Sequence, residues 1–308
     1  MGLLDGKVAV VTGAGRGIGR AEALLLAAEG ARVVVNDLGG EMTGEGADTR
    51  PAQLVVDEIA AAGGQAAANH GNCASWDGAE ALINQAVETF GGLDILVNNA
   101  GILRDRMCFS MDEAEWDAVI NVHLKGHFCP LRHAAAYWRT ASKAAGAPVD
   151  ARVINTASES GLYGNAGQIN YATAKAGIAA MTIVAARELE RLGVRVNAIA
   201  PVARTRLTES VPGASEYFQA KEGDPFDAFA PENVAALVGW LASDLSNGVT
   251  GQVIKVQGGV AQLLRGWRPV TQATADTEWT IEGIEAVRAA LIGGQNTGVP
   301  PFLLSLED

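Results

Sequence analysis

VAVVTGAGRGIG, from Val8 to Gly19, is the stretch that decides the fold. Val8–Thr12 is a short continuous apolar run, and its lack of polar alternation suits a strand covered on both faces. Thr12-Gly13-Ala14-Gly15-Arg16-Gly17-Ile18-Gly19 follows, and a helical pattern continues from it through Ala27. Strand, glycine-rich turn and helix in succession are the context that makes a nucleotide-binding turn credible. Glycines let the backbone approach a pyrophosphate, and the positive end of the helix favours the anion. The spacing is TGxxxGxG rather than GxGxxG. The candidate cofactor contacts here are Gly13, Arg16, Gly17, Ile18 and Gly19.

Arg32–Asn36 is a second apolar run, and it ends at Asp37. An acid at that strand end accepts hydrogen bonds from both adenosine ribose hydroxyls and repels a 2′-phosphate, so Asp37 predicts NAD rather than NADP. Arg16 argues the other way, since a cation in the turn could reach such a phosphate. A solvated loop acid is the plainer reading of Asp37 taken alone. Residues 38–51 have no periodicity and many glycines and acids, which predicts a long loop. Then come a helical pattern over Ala52–Ala62 with Gly63-Gly64 as its stop, and a strand over Gln65–His70 followed by Asn72 and Cys73. Ser75 can cap a helix running to Phe90, and a strand over Ile95–Val97 leads into Asn98-Asn99-Ala100-Gly101. This alternation predicts an α/β chain with a doubly wound parallel sheet and helices on both faces.

The downstream half carries SESGLYGNAGQINYATAK, Ser158 to Lys175. Tyr171 and Lys175 stand four apart in a helical segment and so project from one face. Ser158 follows the apolar run Arg152–Ala157, a predicted strand, so a strand tip and a helix face can bring hydroxyl, phenol and ammonium together. Tyrosine keeps its proton until about pH 10. A nearby lysine cation favours the phenolate, as proton transfer near neutral pH requires. YxxxK by itself is common and usually marks only an amphipathic helix surface. Met111–Thr140 reads as largely helical with Asn121 inside, a poor mid-helix residue, although a surface position would explain it too. The Tyr171 helix is expected to run to about Leu192. A strand over Arg195–Ala200 should end at Pro201, a helix should start at Pro231, and a last strand should span Gln252–Val256 before Gly258-Gly259.

Of 308 residues 48% are hydrophobic, enough for a sizeable core, and 23 basic against 35 acidic side chains leave a net charge of −12. That balance argues against nucleic acid as a partner. Backbone N–H groups can still hold a phosphate-bearing cofactor. Cys73, Cys108 and Cys129 have no metal-ligand spacing and are too few for a disulfide framework, so no metal is expected and the thiols read as reduced. The first residues lack the pattern of a secretory signal, and no apolar run of membrane-spanning length is apparent. A cytoplasmic protein without a membrane partner is the expectation.

TGxxxGxG, NNAG at 98–101, Asn121, Ser158 and YxxxK occur in this order in one chain and together resemble the short-chain dehydrogenase/reductase family over residues 5–260. The resemblance implies a single Rossmann-type domain over 1–260 with a seven-stranded sheet and a substrate loop at 202–223. Residues 261–308, with Trp267, Trp279 and Phe302, would form an extension packed on that domain or at a subunit interface. It also implies a tetrad of Asn121, Ser158, Tyr171 and Lys175. Tyr171 would exchange a proton with the substrate hydroxyl, and Ser158 would hold the substrate oxygen. Lys175 would bind the nicotinamide ribose and acidify the tyrosine, while Asn121 would fix a water between Lys175 and solvent. Asn72, Cys73, Asn99, Ala100, Gly101, Val202 and Thr205 join the cofactor set on the same basis. Two of these depart from the pattern: Asn72 replaces a usual acid, and Val202 a usual glycine.

Within the family, Asn36–Gly40 with the loop that follows, NNAGILRDR at 98–106 and LYGNAGQ at 162–168 resemble the dehydrogenase unit of type 2 peroxisomal multifunctional enzymes. That branch implies NAD-dependent oxidation of a (3R)-3-hydroxyacyl-CoA with a fatty-acyl or steroid side chain, in a homodimer or homotetramer. Arg204, Arg206 and Lys221 could then meet CoA phosphates, although exposed cations usually just face solvent. A 3-oxoacyl-carrier-protein reductase and a free hydroxysteroid dehydrogenase are alternatives. So, outside catalysis, is a nucleotide-sensing module. Asp37 counts against the reductase, and the intact tetrad against the sensing module.

Overall fold

Alternate residues of each central strand feed two separate cores, which is why the strands read as unbroken apolar runs. Ala9, Val11, Val33, Val35, Ile95 and Val97 face one side of the sheet, and Val8, Val10, Val34, Leu96, Val153 and Val196 the other. The computed structural model describes residues 2–41, 43–46, 48–209, 218–219, 225–267 and 269–293.

In chain order the elements are β1 (Val8–Thr12), α1 (Gly17–Ala28), β2 (Arg32–Asn36), α2 (Arg50–Ala61), β3 (Gln65–Asn69), α3 (Trp76–Phe90), β4 (Ile95–Asn98) and α4 (Glu113–Ile120). There follow α5 (Gly126–Ala145), β5 (Ala151–Thr156), α6 (Glu159–Tyr163), α7 (Ile169–Leu189), β6 (Val194–Val202), a single turn α8 (Arg206–Glu209), α9 (Pro231–Ala242), β7 (Val253–Gln257) and β8 (Val260–Leu264). The sheet order is β3-β2-β1-β4-β5-β6-β7-β8. β1 to β7 pair in parallel and β8 lies antiparallel on β7. Helices α1, α2 and α9 supply Ala23, Leu26, Val55, Ile59, Val234 and Val238 to one core. Helices α3, α5 and α7 supply Leu82, Ile83, Leu131, Trp138, Ala185 and Ala186 to the other. Each such side chain contributes roughly 1.5–3 kcal/mol of burial, the alanines less. β1 and β4 flank the point where strand order reverses, so their C-terminal ends open the crevice in which such folds bind ligands.

The expected seven strands are eight. Gln257 pairs with Val260 across Gly258-Gly259, and Gly258 has a φ of 53°. That is a two-residue hairpin turn, whose Gly-Gly signature stood in the sequence. β8 escaped notice because Val260, Ala261 and Leu263 are exposed at the sheet edge, so the strand shows no period-2 alternation.

The single helix expected over Met111–Thr140 is also divided. It starts at Glu113 behind a capping box, with Asp112 Oδ1 accepting the Glu115 N–H at 2.7 Å and Glu115 Oε2 accepting the Asp112 N–H at 3.2 Å. At Asn121–Lys125 it widens into a π-helical turn before α5 resumes. Such turns concentrate at functional sites.

With the 3₁₀ turn that extends it, α7 reaches a membrane span in length and apolarity (Ile169–Leu192), which corrects the expectation that no such run exists. It covers the sheet, with Ala174, Lys175, Ile178, Thr182, Ala185 and Ala186 buried. One compact unit ends at Leu264. In the second unit, two short helices, α10 (Ile281–Ala286) and α11 (Arg288–Ile292), follow Thr280, whose hydroxyl accepts the Gly283 N–H at 2.9 Å. Phe302 lies outside the described residues.

Candidate active site

The glycine turn is held against the loop after β4 by one asparagine and one threonine. Asn99 Nδ2 donates to the carbonyls of Thr12 and Gly13 at 3.0 and 3.1 Å. Thr12 Oγ1 accepts the N–H groups of Asn99 and Ala100 at 3.0 and 3.2 Å. The approach is so close that a Cβ on Gly13, itself at φ 63°, would lie 2.7 Å from Ala100 Cα. A Cβ on Gly19 would lie 2.4 Å from Asn99 Nδ2. Gly19 is therefore required for packing, and it does not line the cavity.

Asp37 ties the other flank. Its Oδ2 accepts the Gly15 N–H at 2.8 Å and its Oδ1 the Gly39 N–H at 2.7 Å. Each carboxylate oxygen keeps capacity for a further donor, as a ribose hydroxyl would be. Asn72 spends its Oδ1 on the Ala74 N–H at 2.9 Å, which turns its NH2 away from that bond. The side chain therefore offers an adenine a donor more readily than an acceptor.

α1 begins with no cap. Arg16 at its N-cap makes no side-chain bond to the first turn, and that turn holds no acid. Its first N–H groups and positive dipole end face the crevice unmet, which fits a pyrophosphate.

At the other end of the crevice stand Ser158, Tyr171 and Lys175. β5 ends in extended backbone at Ser158, the N-cap of α6, whose Oγ accepts the Ser160 N–H at 3.2 Å. Ser158 also lies close enough to Tyr171, the third residue of α7, for its hydroxyl to favour the phenolate. One turn on, the buried Lys175 Nζ donates to Thr156 O at 2.6 Å and lies 5.5 Å from the centre of the Tyr171 ring. Burial drives the Lys175 ammonium down to about 7. Burial also pushes the Tyr171 phenol above its ordinary range, aided by Asp105 and opposed by the Ser158 hydroxyl. The net shift of the phenol is thus upward, with burial outweighing what the neighbouring lysine was expected to supply. The ammonium hydrogen-bonds the Thr156 carbonyl, and desolvation disfavours both charged forms.

Asn121 opens the π turn with its side chain exposed, off the cavity wall. The residue of that turn which reaches the site is His123. Its ring stands edge-on to Tyr171 at 5.0 Å and 89°, and Nε2 lies 2.8 Å from Ile102 O and 3.1 Å from Ile102 N. A Cβ on Gly101 would meet His123 Cε1 at 2.4 Å, so the glycine of NNAG makes room for this ring. Burial and the Lys175 charge pull His123 down to about 3, and His127, one turn on and fully buried, also falls far below its ordinary range. Both stay neutral, and His123 lines the cavity without carrying a charge. The sequence reading missed them. Two histidines four apart directly after Asn121 were the signal.

A cavity of about 270 Å³ joins the two ends. Gly13, Arg16, Gly17, Ile18, Asp37, Asn72, Cys73, Asn99, Ala100, Gly101, Tyr171, Lys175 and Thr205 line it, as does Arg206. Val202 does not, because Pro201 and Ala203 on either side of it take the wall. Arg204 does not either: it is ion-paired with Asp227 and donates to Phe218 O at 2.9 Å. Arg206 lies 3.8 Å from Glu41 with its charge exposed. Lys221 falls outside the described residues. Burial raises the Cys73 thiol to about 12, so it is no nucleophile. Among the described residues no cluster of side chains could hold a metal ion.

A doubly wound sheet with an uncapped helix at its switch point, facing a hydroxyl, a phenol and a lysine, defines a dinucleotide-dependent oxidoreductase. Residues 7–214 match the family model of the short chain dehydrogenases, and the chain belongs to that family. It is an oxidoreductase that acts on a CH–OH group and uses a nicotinamide cofactor. It is 50% identical over 282 residues to hydroxyacyl-CoA dehydrogenase ChsB1 of Mycobacterium tuberculosis, across 90% of this chain and 85% of that protein. Against peroxisomal multifunctional enzyme type 2 of Drosophila melanogaster it is 41% identical over 286 residues, 92% of this chain but only 44% of the longer enzyme. The crystal structure of a short chain dehydrogenase from Mycobacterium avium superposes with a TM-score of 0.85 at 53% identity, covering 97% of this chain and 99% of that one. The resemblance to the multifunctional-enzyme branch is borne out.

Proposed function

We propose that this protein oxidises a (3R)-3-hydroxyacyl-CoA to the 3-oxoacyl-CoA with NAD. The observation that carries the reading is the alignment of the uncapped α1 terminus, Asp37, Tyr171 and Lys175 along one cavity, with Ser158 beside the tyrosine just off its wall. Similarity to a hydroxyacyl-CoA dehydrogenase and to a multifunctional β-oxidation enzyme supports the thioester.

Backbone N–H groups of Gly17 and Ile18 would hold the pyrophosphate, Asp37 the adenosine ribose, and Tyr171 with Lys175 the nicotinamide ribose. When bound, the nicotinamide supplies the hydride acceptor. The chain's own work is proton handling. Tyr171, as phenolate, takes the proton from the substrate hydroxyl while the carbinol carbon gives up its hydride. Ser158 holds the same oxygen, its own oxygen being steadied by the Ser160 N–H. Lys175 stabilises the phenolate by its positive charge. In reverse, the protonated phenol that burial favours here is the proton donor. Of Arg204 and Arg206, the two described cations expected to meet CoA, Arg206 is on the cavity wall.

NADH formation from (3R)-3-hydroxyacyl-CoA, set beside the 3S isomer, a free hydroxysteroid and NADP, tests the whole reading. Turnover of the 3R thioester with NAD is expected. Turnover of the steroid alone, or of the 3S isomer alone, would overturn it. Asp37→Asn keeps an acceptor for one of the Gly15 and Gly39 N–H groups and removes the charge. We expect the NAD-over-NADP preference in kcat/KM to fall by about tenfold. An unchanged ratio would take cofactor choice away from Asp37.

A further inference from the structure

Beyond β4 the chain runs Arg104-Asp105-Arg106 and is stitched to the segment that leads into Tyr171. Arg106 and Gln168 form a parallel bridge, with the Arg106 N–H donating to Gly167 O at 2.8 Å. Asn170, fully buried, donates to Arg104 O and Glu115 O at 2.9 and 3.2 Å, and its Oδ1 accepts the Tyr171 N–H at 2.7 Å. Between these stitches Asp105 Oδ2 accepts from Gln168 Nε2 at 2.8 Å. Gln168, itself buried, accepts at Oε1 from Ser160 Oγ at 2.8 Å and Asn165 Nδ2 at 3.0 Å. The Ser160 N–H then donates to Ser158 Oγ, and the Ser158 hydroxyl lies beside the Tyr171 phenol, where it favours the phenolate. A line of bonds thus runs from a carboxylate at the protein surface to Ser158, whose hydroxyl stands beside the candidate catalytic phenol.

The direction of the line is fixed by its ends. An ionised carboxylate only accepts, so Asp105 must face the NH2 of Gln168. The amide oxygen is thereby turned to Ser160 and Asn165, both of which donate to it. Ser160 spends its hydroxyl proton on Gln168, and Ser158 oxygen takes a backbone N–H. The Ser158 proton is left free for the tyrosine or a substrate oxygen.

We propose that Asp105 and Gln168 are positioning residues for the Ser158–Tyr171 pair, the carboxylate setting the face of the amide and the amide setting Ser160 and, through it, Ser158. The inference rests on the dehydrogenase reading above for its consequence in rate, though not for its consequence in ionisation. Asp105 also puts a negative charge near Tyr171, which opposes loss of the phenolic proton. Its neighbouring cations are turned elsewhere: Arg104 lies 3.6 Å from Glu45, and Arg106 donates to Glu115 at 2.9 Å. The other groups facing Tyr171 are the Lys175 ammonium and the neutral His123.

Asp105→Asn keeps an acceptor for Gln168 and removes the charge. The pH limb of kcat for oxidation should move to lower pH by about half a pH unit, and the difference from the parent should shrink with added salt because Asp105 is exposed. Gln168→Met and Asp105→Leu break the line and should lower kcat about tenfold, with KM for the cofactor unchanged. A limb that stays in place in Asp105→Asn, or a Gln168→Met enzyme with parental kcat, would overturn the proposal. The ionisation is also readable without substrate, as the tyrosinate absorbance that each protein loses on further Tyr171→Phe substitution. If that titration moves with Asp105→Asn while no hydroxyacyl-CoA is turned over, the positioning stands and the substrate reading falls.

Discussion

Two buried ionisable groups, Glu22 in α1 and Lys175 in α7, have much the same physical problem and opposite meanings. Glu22 is fully buried, both its oxygens lack a hydrogen-bond partner, and burial lifts its carboxyl to about 8. Lys175 is equally buried, and burial lowers it to about 7. Glu22 sits among packing residues of α1, beside Ala23 and Leu26, away from any other group with chemistry to offer. Lys175 stands over Tyr171 on a cavity wall, with a carbonyl to direct it. A perturbed pKa therefore marks burial; only the company the group keeps marks a site.

The two groups also drive stability in opposite directions with pH, and that is the largest effect to test. Glu22 is held protonated in the fold above its unfolded value of 4.5. Its contribution is complete below that and is lost as pH climbs towards about 8. The total is on the order of 5 kcal/mol. Lys175 is depressed from 10.5 to about 7, so its burial costs most at and below about 7, and stability returns as pH rises towards 10.5. The chain should lose stability from about pH 5 to 7, change little between 7 and 8, and regain it above 8. Denaturant midpoints across that range check the shape. Glu22→Met should abolish the falling limb and Lys175→Met the rising one. A Glu22→Met protein that still loses stability from pH 5 to 7 would show that the buried carboxylate is relieved in some other way.

A third buried case sharpens the contrast, because here the charge has a partner. Lys255 of β7 and Glu159, next to Ser158, form an ion pair with both side chains almost wholly buried. Removing one end strands the other, so Glu159→Ala should cost roughly 3–5 kcal/mol. Replacing both, as Glu159→Leu with Lys255→Met, should return most of that loss. Urea unfolding of the two single variants and the double one gives the coupling directly. Additive losses would mean the pair does not act as a unit.

Most of the fold was legible because a parallel sheet buried on both faces writes itself as plain apolar runs, as in Val8–Thr12 and Arg32–Asn36. β8 was not, since half-exposed Val260–Leu264 has no such run. In the site, Tyr171 and Lys175 were readable from a four-residue spacing that a helix converts into one face. What could not be read lies in long-range pairing. Arg204 finds Asp227 twenty-three residues on, Glu159 finds Lys255, and Gln168 finds Asp105, and no local period encodes any of these. Asn121 shows the reverse failing. Its poor helix propensity was noticed, yet what it marks is a π turn that brings His123 inward while its own side chain faces out.

The smallest expected effect in free energy separates Glu22 from Lys175 most cleanly. Lys175→Met removes a cation that stands beside a phenol that burial keeps protonated, so turnover should fall at least about 10²-fold, near 2.7 kcal/mol in the barrier. Tyr171→Phe should do the same by removing the proton-transfer group itself. Glu22→Met, with as deep a burial and as large a pKa displacement, should leave kcat and KM at parental values. Steady-state rates for the three variants, measured on protein shown to be folded, decide it. If Glu22→Met were as damaging to kcat as Lys175→Met, burial alone would be the shared cause and the distinction drawn from their surroundings would be wrong. If Lys175→Met kept its rate while Tyr171→Phe lost it, the phenol would be working without its lysine, and the charge that supports the phenolate would have to come from elsewhere in the cavity.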